Sequence, residues 1–421
     1  MSEWKEYRLG QMCTKVTSGG TPNTRKDEFY GGDIPWVRTQ EVNFNRLYET
    51  DVKITEVGLT NSSAKWIPKD SVIIAMYGAT AGKVAINKIP VTTNQACCNL
   101  IIDNKKADYR FIYYNILSRF SSIANMAVGG AQQNLNAAMI KDLPISAPSL
   151  PTQTAIAEIL SSFDDKIELN NKINQELENL AQTLFKQWFI DFEFPNENGE
   201  PYKSSGGEMV DSELGKIPKA WEVGAFGSLI NVVNGYAFKS TDFNDFSEEG
   251  IIKIRNINGT SVDIINTDFV TSEVVGKLNG KFKVNPGEIL IAMTGAEVGK
   301  IGIVATTNKS LWLNQRVGKI VAKNSGQISF VHTMYNVLNF TAVVRNEAMG
   351  SAQPNISSQG IESIKIVIPE SVLIDKFAEL FDDKFQIIYQ SLGENIELIN
   401  LRESLLPKLI SGELEVNQTL N

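Results

Sequence analysis

One histidine, three cysteines and no long apolar run are the conspicuous scarcities of this 421-residue sequence. A membrane-crossing helix needs about 20 consecutive, mostly apolar residues, whereas runs such as Ile289 to Met293 suit single strands. The opening stretch, Met1 to Leu9, is polar and has no apolar signal core. These features lead us to expect a cytoplasmic chain without a membrane partner. Cys13 and the adjacent Cys97 and Cys98 make a poor disulfide framework, and no CxxC spacing offers a zinc site. Any Ser-His-Asp or Cys-His catalysis, or any His-containing metal site, would have to run through His332, and a lone histidine is far more often structural. The expectation is therefore no catalytic residue, no metal and no cofactor.

The acidic balance, a net charge of −8, is unusual for a nucleic-acid binder. It is unevenly spread. Residues 1–150 carry +4 and residues 221–370 carry 0, while 151–220 and 371–421 carry −7 and −5. The excess of acid thus lies outside the two large segments, and local basic patches remain free to meet phosphates.

Self-similarity dominates the chain. At an offset near 220, Ile74-Ala75-Met76-Tyr77-Gly78-Ala79-Thr80-Ala81-Gly82-Lys83 matches Ile291-Ala292-Met293-Thr294-Gly295-Ala296-Glu297-Val298-Gly299-Lys300. Trp4 matches Trp221, Arg38 matches Arg255, Asn94-Gln95 matches Asn314-Gln315, and Phe163-Asp164-Asp165-Lys166 matches Phe381-Asp382-Asp383-Lys384. The polar loop Gly130 to Asn134 matches Gly350 to Asn355. The repeat unit is half the chain. Each copy opens with roughly 150 residues of short β-branched runs punctuated by turn residues, with helical intervals near Tyr109–Ala127 and Phe330–Asn346.

A long amphipathic helix then follows in each copy. Ser149 and Pro151 signal the start of the first, with a stripe through Ile156, Ile159, Phe163, Ile167, Ile173, Leu177, Leu180, Leu184 and Trp188. The second stripe runs from Ile374 to Leu409 and stops at Gly412. About 36 residues at 1.5 Å each give rods of roughly 50 Å, long enough to pack on each other as a coiled coil. Asn170 and Asn171 interrupt the first stripe; they either fix its register or face solvent. The expected division is a first recognition domain over 1–148, a central helix over 149–192, a linker over 193–219, a second domain over 220–369 and a C-terminal helix with tail over 370–421. The linker expectation rests on Pro195, Pro201, Ser204-Ser205-Gly206-Gly207, Gly215 and Pro218.

Several segments, taken in order, carry a resemblance. They are Gly19-Gly20-Thr21-Pro22, Phe29-Tyr30-Gly31-Gly32-Asp33-Ile34-Pro35-Trp36, Leu150-Pro151-Thr152-Gln153 and Leu184-Phe185-Lys186-Gln187-Trp188-Phe189. Gly215-Lys216-Ile217-Pro218-Lys219-Ala220-Trp221, Gly235 to Ser240 and Leu405 to Leu414 complete the set. Along essentially its whole length the chain resembles the specificity subunits of type I restriction–modification enzymes, which usually have Gly where Ala220 stands. The resemblance implies an α+β fold: two similar mixed α/β target-recognition domains separated by two long antiparallel, coiled-coil-like helices in a pseudo-two-fold repeat. It also implies that each domain reads one half of a bipartite, asymmetric double-stranded DNA target. Methyltransferase (modification) subunits dock on the helices, and ATP-dependent translocase/nuclease (restriction) subunits join that core. Adenine methylation from S-adenosylmethionine and DNA cleavage belong to those partners. Successive major grooves on one face of DNA are about 34 Å apart, a separation that rods of this length can span.

Direct readout favours Arg or Lys against guanine and Asn or Gln against adenine. Arg38, Gln40 and Asn43, and Arg255, Asn256 and Asn258, follow strand-like segments and are the candidate DNA contacts. Lys83 and Lys300 follow glycine-containing turns and suit phosphates. The alternative for each is a role in stabilising its own loop. Gln132, Asn134, Gln353 and Asn355 read as turn formers, and Trp36 and Trp66 as core. Gly78 to Lys83 looks like a phosphate loop but has three residues, not four, between its glycines and Val84 where Ser or Thr is required. The second copy fails in the same way, so nucleotide hydrolysis is not expected. No Asn/Asp-Pro-Pro-Tyr/Phe motif for amino methylation occurs.

Overall fold

Strands of four apolar residues, covered on both faces, organise each half of the chain. The computed structural model describes residues 4–128, 134–324, 326–349 and 354–416. It divides into two units, residues 1–165 with 398–421, and residues 166–397. In the first unit Val72–Ala75 lies mid-sheet, in the order Cys13–Ser18, Cys97–Ile102, Val72–Ala75, Val84–Asn87, Asn45–Leu47. Successive side chains point to opposite faces of a strand. Accordingly Val72 and Ile74 enter one core with Phe111 and Ile156, while Ile73 and Ala75 enter another with Val37 and Val91. The second unit repeats this around Ile289–Ala292, whose neighbours are Val317–Ala322 and Ile301–Ile303, with Ile230–Asn234 beyond. Ile289 and Ile291 join one core, Leu290 and Ala292 the other.

A second sheet in each unit, of three strands in the first and five in the second, contains the only parallel pairings between named strands besides Asn45–Leu47 with Val84–Asn87, among the described residues. In the first unit Tyr30–Val37 runs parallel to Thr92–Thr93, Val37 opposite Thr93. In the second, Glu249–Ile252 runs parallel to Ser310–Leu313, Ile252 opposite Leu313. Helices Tyr109–Ser118 and Phe120–Val128 correspond to Ile328–Val337 and Phe340–Glu347. The later pair is broken by Asn339, whose φ of 47° no helix tolerates. Each unit ends on an antiparallel ribbon in the same register, Lys5 opposite Ala147 and Glu222 opposite Ile368.

The long helices are Leu150–Phe185, extended by a π turn over Lys186–Ile190, and Ser371–Ser411. They run antiparallel within each unit. In the first, Arg402 pairs with Asp164 and Leu406 joins the core of Ile156. In the second, Asn170 meets Asn395 and Phe185 meets Phe377. The expected stripe needs correction in its middle. Ile173 and Leu180 are exposed, whereas Asn170, Asn174 and Ala181 are buried. Steps of three and four residues from Asn170 through Asn174, Leu177, Ala181 and Leu184 to Trp188 keep one seam facing inward. A continuous heptad geometry therefore outweighs the hydrophobicity of single positions. Of the two alternatives for the asparagines, Asn170 is buried. It donates to Asn395 Oδ1 at 2.9 Å and Glu394 Oε2 at 2.7 Å, while the exposed Asn171 accepts from Asn395 Nδ2 at 2.9 Å.

Residues 193–219, expected as a linker, are folded. Phe194 stacks on Tyr202 and Trp221 at 4.6 and 5.2 Å, and Met209–Ser212 pairs with Gly215–Pro218. Turn-rich composition here serves this hairpin and a turn bridged at Pro195 and Pro201, whose flanking rings Phe194 and Tyr202 pack with Trp221 against the core of the second unit. Trp36 is core, its indole N–H donating to the Gly20 carbonyl at 3.0 Å, but Trp66 is 48% exposed and departs from the expectation. The three cysteines are unpaired. Burial, the leading cause, pushes the Cys13 and Cys98 thiols up to about 12. No helix among the described residues is long and apolar enough to cross a membrane.

Candidate nucleic-acid interface

Because the two strands of each second-sheet pair run parallel, the loops that follow them leave from one edge. In the first unit Asn94 N–H donates to the Val37 carbonyl at 2.9 Å, so the segment after Val37 and the segment after Thr93 start side by side. The second unit does the same, with Asn314 N–H on the Ile252 carbonyl at 3.1 Å. A third loop is pinned to this edge by a glycine. A Cβ on Gly19 would overlap the Thr93 carbonyl, and one on Gly235 the Asn314 carbonyl. The hairpins 76–83 and 293–300 reach the same edge, since the preceding strands end against Cys97 and Val317.

Those hairpins explain the phosphate-loop likeness. Gly78 and Gly82 have φ of 71° and 85°; Gly295 and Gly299 have 78° and 84°. Glycine takes this left-handed region without penalty, so the matched glycines are turn chemistry. Lys83 donates to Asn43 Oδ1 at 2.7 Å and lies 5.7 Å from the Phe44 ring centroid. Lys300 instead pairs with Glu297 of its own turn.

Arg38 and Arg255 share a device that sequence reading missed, although the backbone frame puts Lys253, next after Ile252, and not Arg255, in the place of Arg38, next after Val37. Each bonds an aspartate thirteen residues later: Arg38 Nη2 to Asp51 Oδ2 at 3.2 Å, and Arg255 to Asp268. Glu41 lies 3.6 Å from Arg38 Nε and accepts the Arg38 backbone N–H at 2.9 Å. The Gln40 amide oxygen accepts from Arg38 Nη2 at 2.7 Å in the orientation that satisfies both groups. Lys253 adds a second cation to Asp268. Burial raises the Asp268 carboxyl, but its bonds to Lys253 and Arg255 and their charges outweigh that and hold it below the usual carboxylate value. The repeated Arg–Asp spacing was the available signal.

The structure thus joins Arg38 with Gln40, and Asn43 with Lys83, at one edge of the first unit. In the second, Arg255 is largely exposed, and Asn258 is exposed while accepting from Thr260 N and Ser261 N at 3.0 and 2.8 Å. Asn256 is a correction. It is 1% exposed, donates to the Asp263 and Asn266 carbonyls at 3.1 and 3.0 Å, and accepts Lys253 N–H at 2.9 Å. Both amide protons are spent on holding the loop, leaving nothing to offer a base. Beside Asn134 and Asn355, expected as turn formers, the next residue, Leu135 or Ile356, donates its N–H to the Met76 or Met293 carbonyl, and Asn355 forms a bridge with Thr294. Gln132 and Gln353 lie outside the described residues. Among the described residues, no group of three or more His, Cys, Asp or Glu side chains is placed to hold a metal ion.

Comparison with known proteins adds the following. The profile described as "Type I restriction modification DNA specificity domain" matches residues 1–179 and 218–397. The chain is 28% identical over 438 residues to the Type I restriction enzyme MjaIX specificity subunit of Methanocaldococcus jannaschii, covering 99% of this chain and 98% of the relative. It is 22% identical over 473 residues to the HindI specificity subunit of Haemophilus influenzae, covering 98% and 100%. Its fold is similar to the crystal structure of a type I restriction–modification S subunit from M. genitalium, with a TM-score of 0.59, 18% identity, and coverage of 97% and 96%.

Proposed function

The chain belongs to the type I restriction modification DNA specificity family, and on that premise we propose a division of labour between its two repeats. It is a specificity subunit, which binds double-stranded DNA, reads a bipartite asymmetric target, and positions modification and restriction subunits there. Methyl transfer and cleavage are the work of those subunits. Each repeat reads one half-site with the edge where its parallel strands end. Arg38, Gln40, Asn43 and Lys83 serve the first, and Arg255, Asn258 and Lys300 the second. Residues 1–148 and 220–369 form the readers. The long helices carry the modification subunits, with the exposed apolar residues Leu169, Ile173, Leu180, Leu380 and Ile387 of the second unit as part of the docking surface. The work is cytoplasmic.

One observation carries this reading. The two edges have the same backbone frame, down to the glycines, the aspartates Asp51 and Asp268 that each hold a cation, and the hairpin turns, yet they display different side chains. A duplicated frame with divergent loops is what two unlike half-sites require. Genome-wide methylation mapping in strains with and without the gene tests it. The expected result is a bipartite motif that appears only with the gene and is lost in Ile173→Glu/Leu180→Glu, which puts charge on the docking face. Methylation independent of this chain, or a single undivided motif, would overturn the proposal.

A further inference from the structure

An open cleft of about 530 Å³ lies at the edge of the second unit, and none of the candidate DNA contacts named above lines it. Asn234, Thr294, Gln315, Arg316 and Asn355 supply its polar walls. Arg316 is exposed, and its guanidinium has no hydrogen bond or ion pair among the described residues. That sets it apart from Lys253, Arg255 and Lys300, which are all held by carboxylates. The side-chain amides of Gln315 and Asn355 are likewise exposed and unbonded among the described residues. The Thr294 hydroxyl is buried without a hydrogen-bond partner among the described residues.

The chemistry of the walls narrows the ligand. They include no aromatic ring, so an extruded base, which needs stacking, is not accommodated. Their polar character also does not suit an apolar small molecule. A free guanidinium flanked by carboxamides matches the edge of base pairs in a major groove, where arginine pairs with guanine and Asn or Gln with adenine. A cation already paired to a carboxylate must first be released to bind DNA; Arg316 needs no such release.

The first repeat provides an internal control. At the corresponding places it has Ser18, Tyr77, Gln95, Ala96 and Asn134. Ala96 is buried, Tyr77 is 39% exposed and Gln95 is bonded to Thr21. The same frame therefore holds an aromatic ring and no cation.

We propose that Arg316 reads a guanine in the half-site of the second repeat, with Gln315 and Asn355 contacting the adjoining base pair. The assignment rests on the reading of the chain as a specificity subunit. The test uses the full chain assembled with its modification subunits and a randomised DNA duplex library at fixed salt. Wild type returns two half-sites. Arg316→Ala should relax one position of one half-site, with guanine preference falling roughly 5- to 150-fold, and leave the other half-site intact. Thr294→Tyr, which installs the residue of the first repeat, should impair that same half-site by filling the cleft. An equal loss on all sequences with a shallower salt dependence would mark a phosphate contact and overturn the assignment. So would no change in either variant, or relaxation of both half-sites. A wild-type complex with no bipartite preference would instead overturn the underlying reading, and the assignment with it.

Discussion

Acid should weaken the second unit through its one histidine. His332 is 7% exposed, its ring 5.2 Å from that of Phe385 and its Nε2 3.2 Å from the Asn336 amide. Burial lowers its pKa to about 4, against about 6.5 in an unfolded chain. The sign follows from linkage. Below pH 6.5 the unfolded chain takes up a proton that the folded chain refuses until about pH 4. The histidine's contribution is thus intact above 6.5 and lost progressively as pH falls toward 4. The full loss is about 3 kcal/mol, and about 2 kcal/mol of it falls between pH 8 and 5. Glu178 lines the same small cavity, and burial raises its carboxyl. Asp382 bonds Ser329 of that cavity and is raised by burial despite that bond. Both acids work in the opposite direction, favouring the folded chain as pH falls, and Lys384 also lines the cavity. The wild-type slope alone is therefore a mixture, and comparison with His332→Leu isolates the imidazole. Urea unfolding of the full chain at pH 8 and 5, followed by tryptophan fluorescence, is the assay. Wild type should lose about 2 kcal/mol more than His332→Leu over that interval. Equal losses, within about half a kcal/mol, would refute the reasoning, because they would mean that the ring takes up its proton as readily folded as unfolded.

Other consequences concern the asparagine node, the pinned loops and the ion-paired cations. Asn395→Leu removes one of the two acceptors of the buried Asn170 amide, leaving Glu394, and should cost about 1–3 kcal/mol, while Asn170→Leu/Asn395→Leu should recover most of it, read as a double-mutant cycle by denaturant unfolding. Gly235→Ala places a methyl group on the Asn314 carbonyl. It should cost about 1–3 kcal/mol by overpacking, seen as a lower melting temperature, with the second half-site lost before the first. Asp268→Asn frees Lys253 and Arg255. If Arg255 lies within reach of a phosphate, binding to non-specific DNA should tighten and the slope of log affinity against log salt should steepen by about 0.9.

Much of the architecture was legible because duplication writes it twice. A strand buried on both faces reads as an unbroken apolar run, and finding Val72–Ala75 again as Ile289–Ala292 marked a strand in each copy, which the structure places mid-sheet. Heptad spacing made the long helices visible. The errors arose where a residue's role depends on distant neighbours. Ile173 and Leu180 are apolar and helically spaced, yet the seam passes through Asn174 and Ala181 instead. Residues 193–219 have linker composition, yet Phe194, Tyr202 and Trp221 stack into a folded patch.

The candidate site was harder to read for a related reason. A residue type shows what a side chain is able to bind, but not whether it is already engaged. Asn256 has the right chemistry for adenine and follows Arg255 directly, yet two carbonyls take both its amide protons. Arg255 is the obvious cation, yet Asp268 holds it; Arg316 drew no notice in the sequence, and its guanidinium is free among the described residues. The repeat also pulls attention to positions that match, whereas two readers with different targets must differ in the residues that read. In a duplicated binder the matched residues, such as Gly19 with Gly235 and Asp51 with Asp268, maintain the frame. Specificity belongs to mismatched pairs at the same address, and Ala96 against Arg316 is the pair in which one copy carries a charge and the other buries a methyl group.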